Sequence, residues 1–166
     1  MAAPPRERRP GVRQRLRRWM YRGGRPGRVA RWLNRVDARV LSSGIGPKQG
    51  AALEVRGRRS GRLITLPVVV ADLDEERYLV AMLGNRANWV QNVRAAGGAA
   101  VLRHRGRTEA VRLEDVAVAS RPPILQRYLA LAPGARAHVP VDPHASLTEF
   151  ERIAADYPVL RVVPQT

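Results

Sequence analysis

The chain has 166 residues, of which 45% are hydrophobic and 27% charged, enough for one domain with a real core. It has no cysteine, which excludes disulfides, thiolate catalysis and cysteine-ligated zinc, and fits a cytosolic protein. The formal charge of +16 is uneven: residues 1–39 hold 13 arginines against two acids, a local +11 that leaves +5 for the remainder.

Residues 1–11 carry Pro4, Pro5 and Pro10 among charged residues and read as a frayed tail. Val12, Leu16, Trp19 and Met20 then recur at helical spacing between arginines, until Gly23-Gly24 and Pro26-Gly27 break the pattern. A second helical stretch places Val29, Leu33, Val36 and Val40 on one face, with Trp32 beside it. Residues 1–40 are therefore expected to form a basic helical arm, followed by the main domain over 41–166.

Beyond the arm the period falls to two. Ala51 to Val55 reads as a strand ending at Gly57, and Leu63 to Leu73 as an apolar strand whose Pro67 belongs at an edge or bulge. Asp72 to Glu76 forms an acidic turn into a strand over Tyr78 to Leu83. Asn88 to Ala96 is a short helix stopped by Gly97-Gly98. Ala99 to His104 and Thr108 to Val118 are strands joined at Arg105-Gly106, with His104, between two arginines, expected at the surface. Ser120 is placed to cap a helix that has Pro122 and Pro123 in its first turn and runs through Tyr128 to Leu131. Ser146-Leu147-Thr148-Glu149 is a capping box opening a helix to about Asp156, and Val159 to Val163 is a last strand. Sequential strands joined by short turns do not build a parallel βαβ sheet. The expected class is α+β, mainly β, as a small antiparallel barrel with flanking helices.

No segment is long and apolar enough to span a membrane. The best run, Leu63 to Ala71, is short and contains Pro67. Arg8-Arg9 lacks the apolar stretch of an export signal, so the expected compartment is the cytoplasm.

The chemistry concentrates in Gly57-Arg58-Arg59-Ser60-Gly61-Arg62, between two strands. Three arginines, a hydroxyl and turn N–H groups form an anion cradle, since guanidinium forks match phosphate and carboxylate geometry. Residue chemistry alone leaves open a solvated hairpin turn. The stretch from Gly57 to Gly61, followed by Thr65 and Pro67, resembles the G-R-x-S-G…T-x-P signature of the deazaflavin-dependent nitroreductase family. Leu83-Gly84 and then Trp89-Val90-Gln91-Asn92-Val93-Arg94-Ala95 are similar to its W-x-x-N-L-x-A helix, in the expected order. The match covers roughly residues 50–120.

The resemblance implies a split β-barrel that binds coenzyme F(420), a deazaflavin with a phosphodiester and an oligoglutamate tail, and transfers hydride from its reduced ring to a quinone, nitro compound or other conjugated acceptor. Carried onto this chain, Arg58, Arg59 and Ser60, with Gly61 and Arg62 in the same turn, meet the phosphate and tail. The backbone from Thr65 through Leu66 and Pro67 to Val68 faces the ring. Leu83 and Gly84 allow close backbone approach, and Trp89 and Asn92 complete the groove. Trp89 read by itself is equally a core anchor. Where the family has a further arginine this chain has Ile64, so either Arg62 substitutes or the phosphate is held more weakly. Members that reduce nitroimidazoles place tyrosines over the ring, whereas the strand after Pro67 offers Val68, Val69 and Val70 and Tyr128 has no clear alignment, so the acceptor stays open. The cofactor supplies the chemistry, and no catalytic side chain is required.

Alternatives are an FMN-binding barrel of the same fold, for which the arginine cluster is partly superfluous, a cofactor carrier without turnover, or a non-enzymatic protein that binds anionic surfaces through the arm. Residues 12–40 fit either attachment to an anionic membrane surface or packing on the barrel. Nucleic acid is not expected, with aromatic residues at 5% and no binding motif. A homodimer is compatible with the sequence. Gly44 to Gly50 lacks the spacing and the following helix of a nucleotide loop. His138, Asp142 and His144, in a proline-rich loop without a second cluster, read as exposed rather than as metal ligands.

Overall fold

The computed structural model describes residues 48–165. The arm over 1–40, its two expected helices and the glycine stretch up to Pro47 lie outside the described residues. Six strands, β1 (Gly50–Arg56), β2 (Leu63–Leu73), β3 (Glu76–Val80), β4 (Ala99–His104), β5 (Arg107–Asp115) and β6 (Val159–Pro164), close into an antiparallel barrel in the order β1-β2-β3-β6-β5-β4. Three helices join them: α1 (Asn88–Ala95), α2 (Pro122–Leu131) and α3 (Leu147–Ile153). The architecture is the mainly β barrel with flanking helices that the strand order implies.

Period-two alternation divides the apolar residues between two cores. Ala51, Leu53 and Val55 of β1 point into the barrel with Leu79, Leu102, Val111 and Leu160, and α1 adds Val90 and Val93 to this interior. On the outer side, Val69, Ala71, Val80 and Val159 pack against Ile124, Leu125, Tyr128 and Leu129 of α2 and Phe150 of α3. The wall made by β2, β3 and β6 is thus buried on both faces. That is why Val68 to Ala71 and Val159 to Val163 read as apolar runs rather than as alternating strands.

Both hairpin turns carry two successive residues at positive φ, as two-residue turns between twisted strands require. They are Asp74 and Glu75 between β2 and β3, and Arg105 and Gly106 between β4 and β5.

Several boundaries differ from expectation. The third strand begins two residues earlier than Tyr78 and stops at Val80 instead of Leu83. Its apolar continuation stops pairing because Pro158, opposite Ala81 in the β3–β6 register, accepts from the Ala81 N–H at 3.0 Å but has no N–H to return, and a turn closes at once, Gly84 N–H to Ala81 carbonyl at 2.9 Å. The fifth strand ends at Asp115, and Val118–Ser120 is a short 3-10 turn. The residue capping α2 is Arg121, not Ser120, with Pro122 opening the helix. Ser146 does occupy the cap position of α3, but its side chain makes no capping bond and the helix ends at Ile153 rather than near Asp156.

His104 is buried, not at the surface. It shares the inward parity of Ala100 and Leu102 on β4, and its Nε2 lies 2.6 Å from the Lys48 carbonyl oxygen. Arg103 is exposed on the other face, while Arg105, in the turn, donates to the same Lys48 carbonyl at 3.2 Å.

Phe150 is fully buried and is the one buried side chain of the seven-residue α3. Phe150→Ala is expected to cost about 3–5 kcal/mol, read from the shift in urea unfolding midpoint, because the only other residue of the short helix in the outer core, Ile153, is just partly buried.

Candidate cofactor site

The turn between β1 and β2 is built from its own backbone. The Gly57 N–H donates to the Arg62 carbonyl and the Gly61 N–H to the Gly57 carbonyl, both at 2.8 Å. Gly61 sits at φ +64, and a Cβ on Gly57 would meet Ser60 Oγ at 2.9 Å, so both glycines are required for a turn this tight. The Ser60 hydroxyl accepts from the Arg62 N–H at 3.3 Å. Arg56, one residue before the turn, donates to the Gly61 carbonyl at 2.7 Å. The result is a braced loop on which Arg59, Ser60 and Arg62 are exposed to solvent.

Arg58 behaves differently. Its backbone N–H and its guanidinium Nη1 both donate to Asn92 Oδ1 of α1, at 3.2 and 2.9 Å, and longer contacts of 3.5 Å reach the Asn88 carbonyl and Oδ1. Asn92 is only 5% exposed. Helix α1 is held at its other end by Arg94, which donates through Nε and Nη2 to the two oxygens of Asp115 at 3.0 and 2.6 Å and keeps that carboxyl below its ordinary range. The two halves of the sequence signature are therefore in direct contact, turn to helix.

The second feature is an open edge. β2 pairs with β1 from Leu63 to Val69, but with β3 only from Val70 to Leu73. The Val70 N–H donates toward β1, to the Gln49 carbonyl at 2.8 Å. By strand alternation the backbone groups of Thr65 and Pro67 point away from β1, to the side where β3 no longer runs. Pro67, which has no N–H to offer, thus stands at the edge as expected. Leu66 and Val68 instead turn their side chains onto the barrel core, so these four residues do not share one side-chain face.

Trp89 also packs on the interior core, half-buried, and anchors α1. Gly84, at φ +74, admits the Asp156 carbonyl, whose oxygen would lie 3.0 Å from an added Cβ, while neighbouring Leu83 stays 63% exposed. Tyr128 lies inside the outer core, with its phenol pushed up to about 12 by burial. Among the described residues no group of three His, Cys, Asp or Glu is arranged to hold a metal ion, and Asp142 accepts from the His144 N–H at 2.8 Å.

Two polar residues escaped sequence reasoning. Arg121 is buried and donates to the carbonyls of Val116, Ala154 and Tyr157 at 2.9, 3.0 and 3.4 Å, tying the segment after β5 to the connection between α3 and β6. Glu54, opposite Thr65 in the β1–β2 register, has one carboxylate oxygen buried without a hydrogen bond. Burial pushes its carboxyl up, with Arg103 partly opposing. The only sequence signal for Glu54 is its place between inward Leu53 and Val55 in an otherwise apolar strand.

Comparison with known proteins adds the following. The model of the F(420)H(2)-dependent quinone reductase family matches residues 14–138. No curated protein matches the chain. Matching solved structures include a protein of unknown function from Agrobacterium tumefaciens, with a TM-score of 0.54 and 14% identity over 77% of this chain and 55% of that one. This chain therefore spans little more than half the length of that structural relative. Others are an F(420)-H(2) dependent reductase (TM-score 0.47, 12% identity, 69% of this chain and 94% of that one) and a chain described as a domain-swapped dimer (0.49, 12%, 80% and 98%). At such identities the likeness concerns the fold.

The Glu54 environment generates a pH test. A carboxyl whose folded-state pKa is raised costs nothing below the ordinary value of 4.5, where it is protonated in both states. The cost sets in as pH rises above that value. Glu54→Gln is expected to raise the melting temperature at pH 7, with the gain shrinking towards zero near pH 4; a constant gain across this range would exclude the ionisation cost.

Proposed function

The chain belongs to the F(420)H(2)-dependent quinone reductase family, and on that premise we propose that it passes a hydride from reduced coenzyme F(420) to a quinone or other small conjugated acceptor. The single observation that carries the site assignment is the contact between the arginine turn and α1, beside the open edge of β2.

The donor set fits the cofactor. A phosphodiester with an oligoglutamate tail needs several fixed positive charges at a solvent-facing rim, and Arg59 and Arg62 stand exposed there with no paired carboxylate among the described residues. The deazaflavin ring needs a flat apolar wall with a few hydrogen-bonding groups along one side. Leu66, Val68 and Trp89 offer the wall from the barrel core, and the backbone of Thr65 and Pro67 offers the polar edge. Arg62 takes the place that Ile64 leaves without charge. Bound in its reduced form, F(420) supplies the hydride. The protein binds and orients both partners and limits water at the ring.

We read the +11 charge of residues 1–39 as attraction to an anionic membrane surface, which suits an acceptor dissolved in lipid. Sedimentation with anionic vesicles that is unchanged on removing residues 1–40 would end that part of the reading.

The main test is fluorescence titration with F(420) and with its tail-less, phosphate-free ring fragment. Removing Arg59 and Arg62 together, both to Ala, is expected to weaken the oligoglutamate form by about tenfold or more, from two exposed charge-assisted contacts. Affinity for the fragment should hardly change. Equal losses for both ligands would remove the arginines from the tail site, and absence of saturable binding to the unaltered chain would overturn the proposal.

A further inference from the structure

The geometry points to Asn92 as a positioning residue for the anion site, acting through Arg58 and serving as a neutral anchor that fixes the turn without cancelling its charge. This rests on the reading of the turn as the binding site of the anionic end of the cofactor.

One carboxamide oxygen receives two N–H groups of the same residue, the Arg58 backbone at 3.2 Å and its guanidinium Nη1 at 2.9 Å. The first bond fixes where the turn begins relative to α1, and the second fixes the direction of the guanidinium. Asn92 can do both because it is almost fully buried in a helix whose far end is clamped by the Arg94–Asp115 pair. Arg58 itself is exposed, in the same turn as Arg59 and Arg62, and besides Asn92 its guanidinium makes only the long 3.5 Å contacts to Asn88.

The choice of asparagine over aspartate matters electrostatically. A carboxylate at this position would offer the same acceptor geometry and bind a guanidinium more strongly. It would also cancel one positive charge at the rim where a polyanion is to be held. The neutral amide keeps the full charge of Arg58 available and still pays the orientational cost in advance of binding. Elsewhere in the described residues, several arginines that hold the fold together are neutralised by carboxylates, Arg77 by Glu109, Arg94 by Asp115 and Arg127 by Asp72, whereas Arg121 is held by backbone carbonyls. At the turn the anchor is uncharged.

Asn92→Asp and Asn92→Ala in the full chain test this by titration with F(420) and with its tail-less ring fragment, at low and high salt, with melting temperatures recorded alongside. Asn92→Asp is expected to lose about tenfold in affinity for F(420), a loss that shrinks with added salt, and to keep the fragment affinity. Asn92→Ala is expected to lose about threefold, independent of salt, by releasing the turn. Aspartate binding F(420) as well as asparagine does would overturn the neutral-anchor role while leaving the cofactor site intact. Should the aspartate variant fail to fold, the alanine variant decides, and equal losses for F(420) and fragment would then overturn the inference. If the unaltered chain binds no F(420), both this inference and the functional reading fall.

Discussion

The proposed site depends on two neighbouring strands that differ in length. β2 has eleven residues and β3 five, so among the described residues one end of β2 is paired on one side only. Barrel closure elsewhere satisfies the backbone strand against strand. Along this stretch it leaves peptide groups for something other than a strand. The arginine turn lies at the head of the same stretch, and α1, seated on the interior core, fixes the turn through Arg58 and Asn92.

Two kinds of arginine follow from this arrangement. Some are structural, spent on carboxylates or, for Arg121, on three buried carbonyls that bind the segments after β5, α3 and the approach to β6. Of those in the β1–β2 turn, Arg58 is held by an amide while Arg59 and Arg62 stand exposed, so the loop keeps its positive charge. Net composition does not separate the two classes. Only the chemistry of each acceptor does.

Most of the fold was legible because its strands alternate cleanly and its turns carry Gly, Asp or Arg-Gly at the reversal. The errors share a cause: distant partners that a local pattern cannot show. Ala81 to Leu83 looked like strand because the segment is apolar, yet its partner Pro158 has no N–H to extend the ladder and the chain turns at Gly84. His104 looked exposed between two arginines, although parity with Ala100 and Leu102 placed it inside. Ser120 looked like a cap, but the residue after it takes the cap position and reaches the carbonyls of Ala154 and Tyr157, far along the chain. For the site, the signature picked out the turn and the helix. It did not distinguish Arg58, bound to Asn92, from the solvent-facing Arg59 and Arg62, since identical residue types differ there only in what lies beside them.

Pro67 gives the open strand edge a property beyond ligand access. An unpaired edge is a template for another chain, which can dock its own amides and carbonyls in register and seed association. A missing N–H in the middle of that edge, with a pyrrolidine ring in its place, breaks the register such docking would need. The exposed edge is therefore a poor template for a foreign strand.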